Sequence, residues 1–304
     1  MTDLTKFHGI FPAFYACYDD EGNVSPERVR ALTRYLIEKG VTGVYVGGSS
    51  GECIYQSVEE RAITLENVMD EARGRLTVIA HVACNNTRDS MALAAHAESL
   101  GVDAIAAIPP IYFHLPEHAI AAYWNDISHA APATPFIIYN IPQLAGVALT
   151  MPLLKTMLEN PRVIGVKNSS MPVQDIQMFV DAGDKDFVVF NGPDEQLASG
   201  LAAGACGGIG GTYAVMPALY LAIYRLMQAG DVARAREIQN ACCRMIYRMC
   251  EAKGNLYATM KGILRLQGID IGGVRAPLAQ SAPEDGPIIE DAAERIASAI
   301  ATLA

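Results

Sequence analysis

The chain has 304 residues, 51% hydrophobic and 18% charged, enough to bury one barrel-sized core with a smaller addition. A formal net charge of −10 without any Lys/Arg run excludes the electrostatic footprint of a non-specific nucleic-acid binder. Nowhere do about 18 apolar residues run uninterrupted, and MTDLTKFHGI lacks a basic n-region and a continuous apolar stretch, so a cytoplasmic protein is expected.

In chain order, short apolar and β-branched runs alternate with helical stretches. The strand candidates are FPAFYACY (11–18), VTGVYVGG (41–48), LTVIAHVA (76–83), DAIAAIPP (103–110), PFIIYNIP (135–142), VIGVKNS (163–169), FVVFNG (187–192) and GACGGIGG (204–211). Between them lie segments of helical period with start and stop signals, such as Ser25-Pro26 before ERVRALTRYLIEKG and Gly40 at its end. Eight strand–helix units over about 210 residues predict an α/β fold, a closed (β/α)₈ barrel, better than an open doubly wound sheet. No GxGxxG follows the first strand to mark a dinucleotide site. After residue 212 only helices follow, punctuated at Gly230-Asp231 and Gly254-Asn255 and by a Pro/Gly-rich link from Ala276 to Pro287. The expected division is a barrel over 1–230 and a three-helix carboxy-terminal extension over 231–304.

The cysteines, at 17, 53, 84, 206, 242, 243 and 250, form an odd set with no CxxC pair and no His at ligand spacing, which reads as reduced core-filling thiols and no metal. His81, inside an apolar run, and His96, on a helical stretch, read as structural or surface residues.

In such barrels the reactive groups gather just past the strand ends. Strand six is apolar from Val163 to Val166 and then meets Lys167, either an amine that clears the strand into water or a desolvated nucleophile. Strand five ends YNIP and sets Tyr139 at the mouth, as a core tyrosine or a proton carrier. Strand two runs into GGSSGE, a plain loop or an anion cradle with the hydroxyls of Ser49 and Ser50. Asp194 and Glu195 in NGPDE fit an ordinary helix start, and GGIGGT leaves room for a substrate. Cradle, phenol and amine on one face point to an imine-forming lysine acting on a 2-oxo acid, with no cofactor and no metal.

With YVGGSSGE, YNIPQLAG, GVKNSS, FNGPDEQLASGLAAGA and GGIGGTY in order and spacing, residues 7 to 275 resemble the N-acetylneuraminate lyase and dihydrodipicolinate synthase group of Schiff-base aldolases. The resemblance implies a homotetrameric barrel in which Lys167 forms the imine, Tyr139 shuttles the proton and Ser49 and Ser50 hold pyruvate's carboxylate. It also implies that Tyr112, in IPPIYF, reaches the neighbouring subunit's site. Leu144 stands where the synthase branch carries an arginine, and Gly192, Asp194 and Glu195 match a lyase string contacting sugar hydroxyls. Ser169 replaces the common Thr, and Gly211 the common Ser, at two further sugar contacts. The activity so implied is reversible cleavage of N-acetylneuraminate to pyruvate and N-acetylmannosamine. The alternatives are an aldolase for another 2-keto-3-deoxy sugar acid, the synthase, or a barrel that binds a sugar acid without turning it over.

Overall fold

Each of the eight apolar runs contributes a parallel strand to one sheet in the computed structural model, which describes residues 4–183 and 186–303. They are β1 (Gly9–Pro12), β2 (Gly43–Val46), β3 (Thr77–His81), β4 (Ala104–Ala107), β5 (Phe136–Asn140), β6 (Val163–Asn168), β7 (Val188–Asn191) and β8 (Gly207–Gly210). Every strand pairs with its successor from β2 to β8, and β8 pairs with β1. The ring closes where Phe14 N donates to Tyr45 O at 2.8 Å and Thr42 N to Ile10 O at 3.0 Å.

Burial on both faces explains the near-continuous apolar strands. Val44, Val78, Ile105, Ile138, Val166 and Val189 face the helices, whereas Phe11, Ile79, Ile137, Phe190 and Ile209 fill the barrel. Side chains alternate along a strand, so Tyr45, Tyr139 and Lys167, each next to an outward valine or isoleucine, point inward. Gly165 has no room for a side chain, because a Cβ there would lie 2.2 Å from Val188 O.

The helices around the ring are α1 (Pro26–Glu38), α2 (Val58–Ala72), α3 (Thr87–Ser99), α4 (Glu117–Ala130), α5 (Pro142–Ala145), α6 (Met151–Met157), α7 (Val173–Ala182), α8 (Leu197–Ala202) and α9 (Pro217–Gln228). Their starts follow local chemistry: the Ser25 hydroxyl accepts from Arg28 N, and Ser57 and Glu60 form a reciprocal capping box before α2. Gly40, at φ +73°, ends the α1 segment in the left-handed region. The carboxy-terminal extension consists of α10 (Val232–Met249), α11 (Leu256–Leu266) and α12 (Gly286–Ala301), with Asp231 and Asn255 capping the first two. Among the described residues no helix is long and apolar enough to cross a membrane.

The strands are shorter than the apolar runs, and the largest departure is at the first. The first strand stops at Pro12, and residues 13–18 continue as a buried connection toward the carboxy-terminal helices rather than as a strand. Tyr15 there donates to Gly211 O at 2.5 Å and lies against Met260 Sδ at 3.2 Å, so its burial comes from α11 and the β8 loop, not from strand neighbours. An apolar run reports burial, and periodicity alone does not tell which partner supplies it.

Candidate active site

Lys167 is brought opposite Tyr139 by strand register: the two are paired residues of β6 and β5, and Asn168 pairs with Asn140 just beyond them. The lysine is 4% exposed, with its Nζ 3.9 Å from the Tyr139 ring centroid and 4.1 Å from that of Tyr45. Among the described residues its amine has no ion pair and no hydrogen bond. Burial therefore dominates its acidity and lowers its pKa to about 7, with the charge of Asp194 opposing the shift. At neutral pH a large share of this amine is unprotonated and able to attack a carbonyl carbon.

Tyr139, 3% exposed, has its phenol pushed up to about 12 by burial, and the hydroxyls of Ser169 and Ser49 pull it back. Both serines thus flank the phenol, and Ser49 ties it to the GGSSGE loop. That loop leaves β2 through Gly47, at φ +75°, and winds into a 3-10 turn over Ser49–Gly51. His81 pins it from below: its Nδ1 lies 2.8 Å from Gly47 O, and Ile108 N donates to Nε2 at 3.4 Å. Because Gly47 O can only accept, the proton sits on Nδ1 and the imidazole is neutral. Burial, reinforced by the Arg61 cation, lowers its pKa to about 3.

On the other side, Asp194 is buried and accepts from Gly211 N at 3.1 Å and from Thr212 N and Thr212 Oγ1, each at 2.6 Å. Burial raises its pKa to about 6 against those hydrogen bonds. Its carboxylate thus supports the β8 loop, while Glu195 beside it is exposed. A Cβ at Gly211 would come 3.3 Å from Ser50 Oγ and 3.9 Å from Asp194 Oδ2, so Gly211 faces the space between those groups. Gly192 has to be glycine, since a Cβ there would strike Ser169 Oγ at 2.0 Å.

The geometry thus gathers Lys167, Tyr139, Ser49, Ser50, Ser169, Gly192, Asp194 and Gly211 around one end of the barrel. Tyr112 is placed apart within this chain: it is 86% exposed, has φ +86°, and packs edge-on against the exposed Phe113. Beside Ser49 opens a cavity of about 520 Å³ whose walls include Ser49, Glu52, Arg61, Asn85, Leu144 and Tyr257. Sequence reasoning left three residues here without a place at the site. Tyr45 could have been found from the parity of VTGVYV, and His81 from its inward position in LTVIAHVA. Tyr257 carries no local signal, for it reaches the cavity from α11, some 200 residues beyond the serines in the chain.

The chain matches known proteins over nearly its full length. The model of the dihydrodipicolinate synthetase family matches residues 6–296. An N-acetylneuraminate lyase of Mediterraneibacter gnavus is 63% identical over 300 residues, covering 98% of this chain and 95% of that protein. N-acetylneuraminate lyase 2 of Escherichia coli is 36% identical over 294 residues, covering 96% and 95%. A solved Ruminococcus gnavus sialic acid aldolase, described as a catalytic lysine mutant, superposes with a TM-score of 0.98 at 62% identity, over 99% of each chain. The eight-stranded barrel, its lysine and the extent of these matches place the chain in the dihydrodipicolinate synthetase family.

Proposed function

We propose that the protein is a Schiff-base lyase that reversibly cleaves N-acetylneuraminate to pyruvate and N-acetylmannosamine. The observation that carries this reading is the buried, unpaired Lys167 amine against the rings of Tyr139 and Tyr45. In the open-chain substrate the Lys167 amine adds to the C2 carbonyl, and loss of water leaves an iminium, the electron sink for the next step. Tyr139 relays the proton leaving the C4 hydroxyl, the C3–C4 electron pair moves toward the iminium, and N-acetylmannosamine departs as the aldehyde. Protonation of the enamine at C3 and hydrolysis of the iminium return Lys167 and release pyruvate. Ser49 and Ser50 hold the carboxylate, and Ser169, Gly192, Asp194, Glu195 and Gly211 surround the sugar. No resident metal or cofactor enters the scheme.

The named relatives support the substrate, and Leu144, 59% exposed on α5 where an acceptor-binding arginine would be needed, weighs against an amino-acid semialdehyde as second substrate. The reading includes a cytoplasmic homotetramer in which the exposed Tyr112 reaches a neighbouring subunit's site. The test is pyruvate release from a panel of sialic and 2-keto-3-deoxy acids, with borohydride added to trap a secondary amine on Lys167. Release from N-acetylneuraminate above the others supports the proposal. Preference for another sugar acid moves the substrate and leaves the mechanism, whereas binding without release makes the chain a non-catalytic barrel.

A further inference from the structure

Glu52 closes the GGSSGE loop with a backbone φ of +53°, a left-handed conformation uncommon for a residue with a side chain. Its carboxylate is buried and fully engaged: Oε1 lies 2.8 Å from Lys261 Nζ, and Oε2 accepts from Arg275 N at 2.8 Å. Lys261 is equally buried, at 1% exposure, and donates also to Gly273 O at 2.5 Å, with the Tyr18 ring 4.9 Å away. The pair joins the loop that carries Ser49 and Ser50 to α11, across 209 positions of sequence. Burying two charges adds little net stability, because desolvation offsets most of their attraction, and such a pair is better accounted for by the arrangement it fixes.

What it fixes is visible one helical turn away. Tyr257 precedes Lys261 by four residues on α11, so the two side chains share a face of the helix. Tyr257 lines the same cavity as Ser49 and Glu52, and at the neighbouring Ser50 a Cβ on Gly211 would come within 3.3 Å of the hydroxyl, so glycine there leaves that hydroxyl uncrowded. Burial raises the Tyr257 phenol above its ordinary range while the Ser50 hydroxyl opposes the shift, so the group is a neutral O–H donor at physiological pH, beside Ser50.

We propose that Tyr257 is a further substrate-contacting residue, its phenol joining Ser50 in holding the carboxylate of the 2-oxo acid, and that Glu52 and Lys261 are the positioning residues that bring it there. The inference rests on the Schiff-base reading above and adds to it a donor supplied by the carboxy-terminal extension. The loop brings two hydroxyls and α11 a third, and the buried ion pair sets the distance between them.

The experiment is borohydride trapping of pyruvate on Lys167 at graded pyruvate concentration, in the full-length protein and its Tyr257→Phe, Glu52→Gln and doubly substituted forms. A hydrogen bond to a charged group is lost in Tyr257→Phe, so half-saturation is expected at about tenfold higher pyruvate, with the trapping rate at saturation nearly unchanged. Glu52→Gln is expected to produce a similar rise, and the double variant little more than either alone, since both changes remove one interaction. If Glu52→Gln does not fold, Tyr257→Phe, which keeps the ring and loses one hydroxyl, carries the test alone. An unchanged half-saturation in Tyr257→Phe, or a loss confined to the saturated rate, overturns the inference. Failure of the unsubstituted protein to be trapped at Lys167 overturns instead the reading on which it rests.

Discussion

Asn140 donates from Nδ2 to Asn168 Oδ1 at 2.7 Å, one residue beyond the Tyr139–Lys167 pair on the same two strands. Parity sends these amides to the outer face, where the chain continues from Asn168 Nδ2 to Ser170 Oγ at 2.9 Å and from Ser170 Oγ to Asp175 Oδ2 at 2.6 Å. Leu149 N fills the remaining Asn140 oxygen at 2.9 Å. This rung fixes how far the two strand ends stand apart, and with them the amine and the phenol. In Asn168→Ala the buried Asn140 amide loses its acceptor, so a loss of about 1–3 kcal/mol in urea unfolding is expected. Slower borohydride trapping at saturating pyruvate should accompany it. Unfolding parameters equal to those of the unsubstituted protein would remove the rung from this account.

The acidity of Lys167 predicts two pH dependences. Because only the free amine attacks, the rate of imine formation should rise with pH and reach half its limit near pH 7. In the unfolded chain the same amine keeps its ordinary pKa of about 10.4, so between about pH 7 and 10.4 the unfolded state binds more protons than the native one. Stability from this group therefore rises with pH across that window, is complete above it, and is lost as pH falls to about 7. Lys167→Met removes the buried cation and should be inactive yet more stable than the parent, most clearly below pH 7. Thermal melts at pH 6 and pH 9 measure this, and a less stable Lys167→Met at pH 6 would contradict it.

Tyr139→Phe retains the ring under Lys167 and deletes the proton carrier. Turnover of N-acetylneuraminate is expected to fall by about 10² to 10⁴, while trapping of pyruvate falls much less. Turnover at the parental rate would return Tyr139 to a purely structural role.

The acceptor should be a neutral sugar. The protein is expected to condense pyruvate with N-acetylmannosamine and to give negligible product with aspartate semialdehyde, because Leu144 offers no bidentate contact to a carboxylate. Asp194→Ala should abolish the sugar reaction and keep pyruvate trapping, since the hydrogen bonds that shape the Gly211–Thr212 turn are lost while Lys167 stays in place. Product analysis with both acceptors decides it, and a preference for the semialdehyde would reverse the assignment.

The parts that could be read from sequence share a cause: their signals are local. VIGVKN announces a strand and its odd lysine within six residues, and YNIP does the same for Tyr139. The GGSSGE turn is likewise written in consecutive glycines and serines. Where partners lie far apart in the chain, the sequence is silent. Glu52 looks like a loop acid until Lys261 is seen against it, and Tyr257 like one more aromatic on an amphipathic helix. Asp194 shows the intermediate case. NGPDE marks a helix start correctly, yet nothing in it indicates that the carboxylate turns back to hold Thr212.

The two aromatic faces around Lys167 solve a problem of timing. A carboxylate paired with the amine would hold it as ammonium and withhold its lone pair, and among the described residues none is ion-paired with it. A ring face attracts a cation through its quadrupole but accepts no conventional hydrogen bond, so it leaves the free amine reactive. Once the carbonyl has been attacked and water has left, the positive iminium lies against the same two faces. The attraction then grows with the charge that the reaction itself creates, and stabilises the reacting complex more than the resting amine.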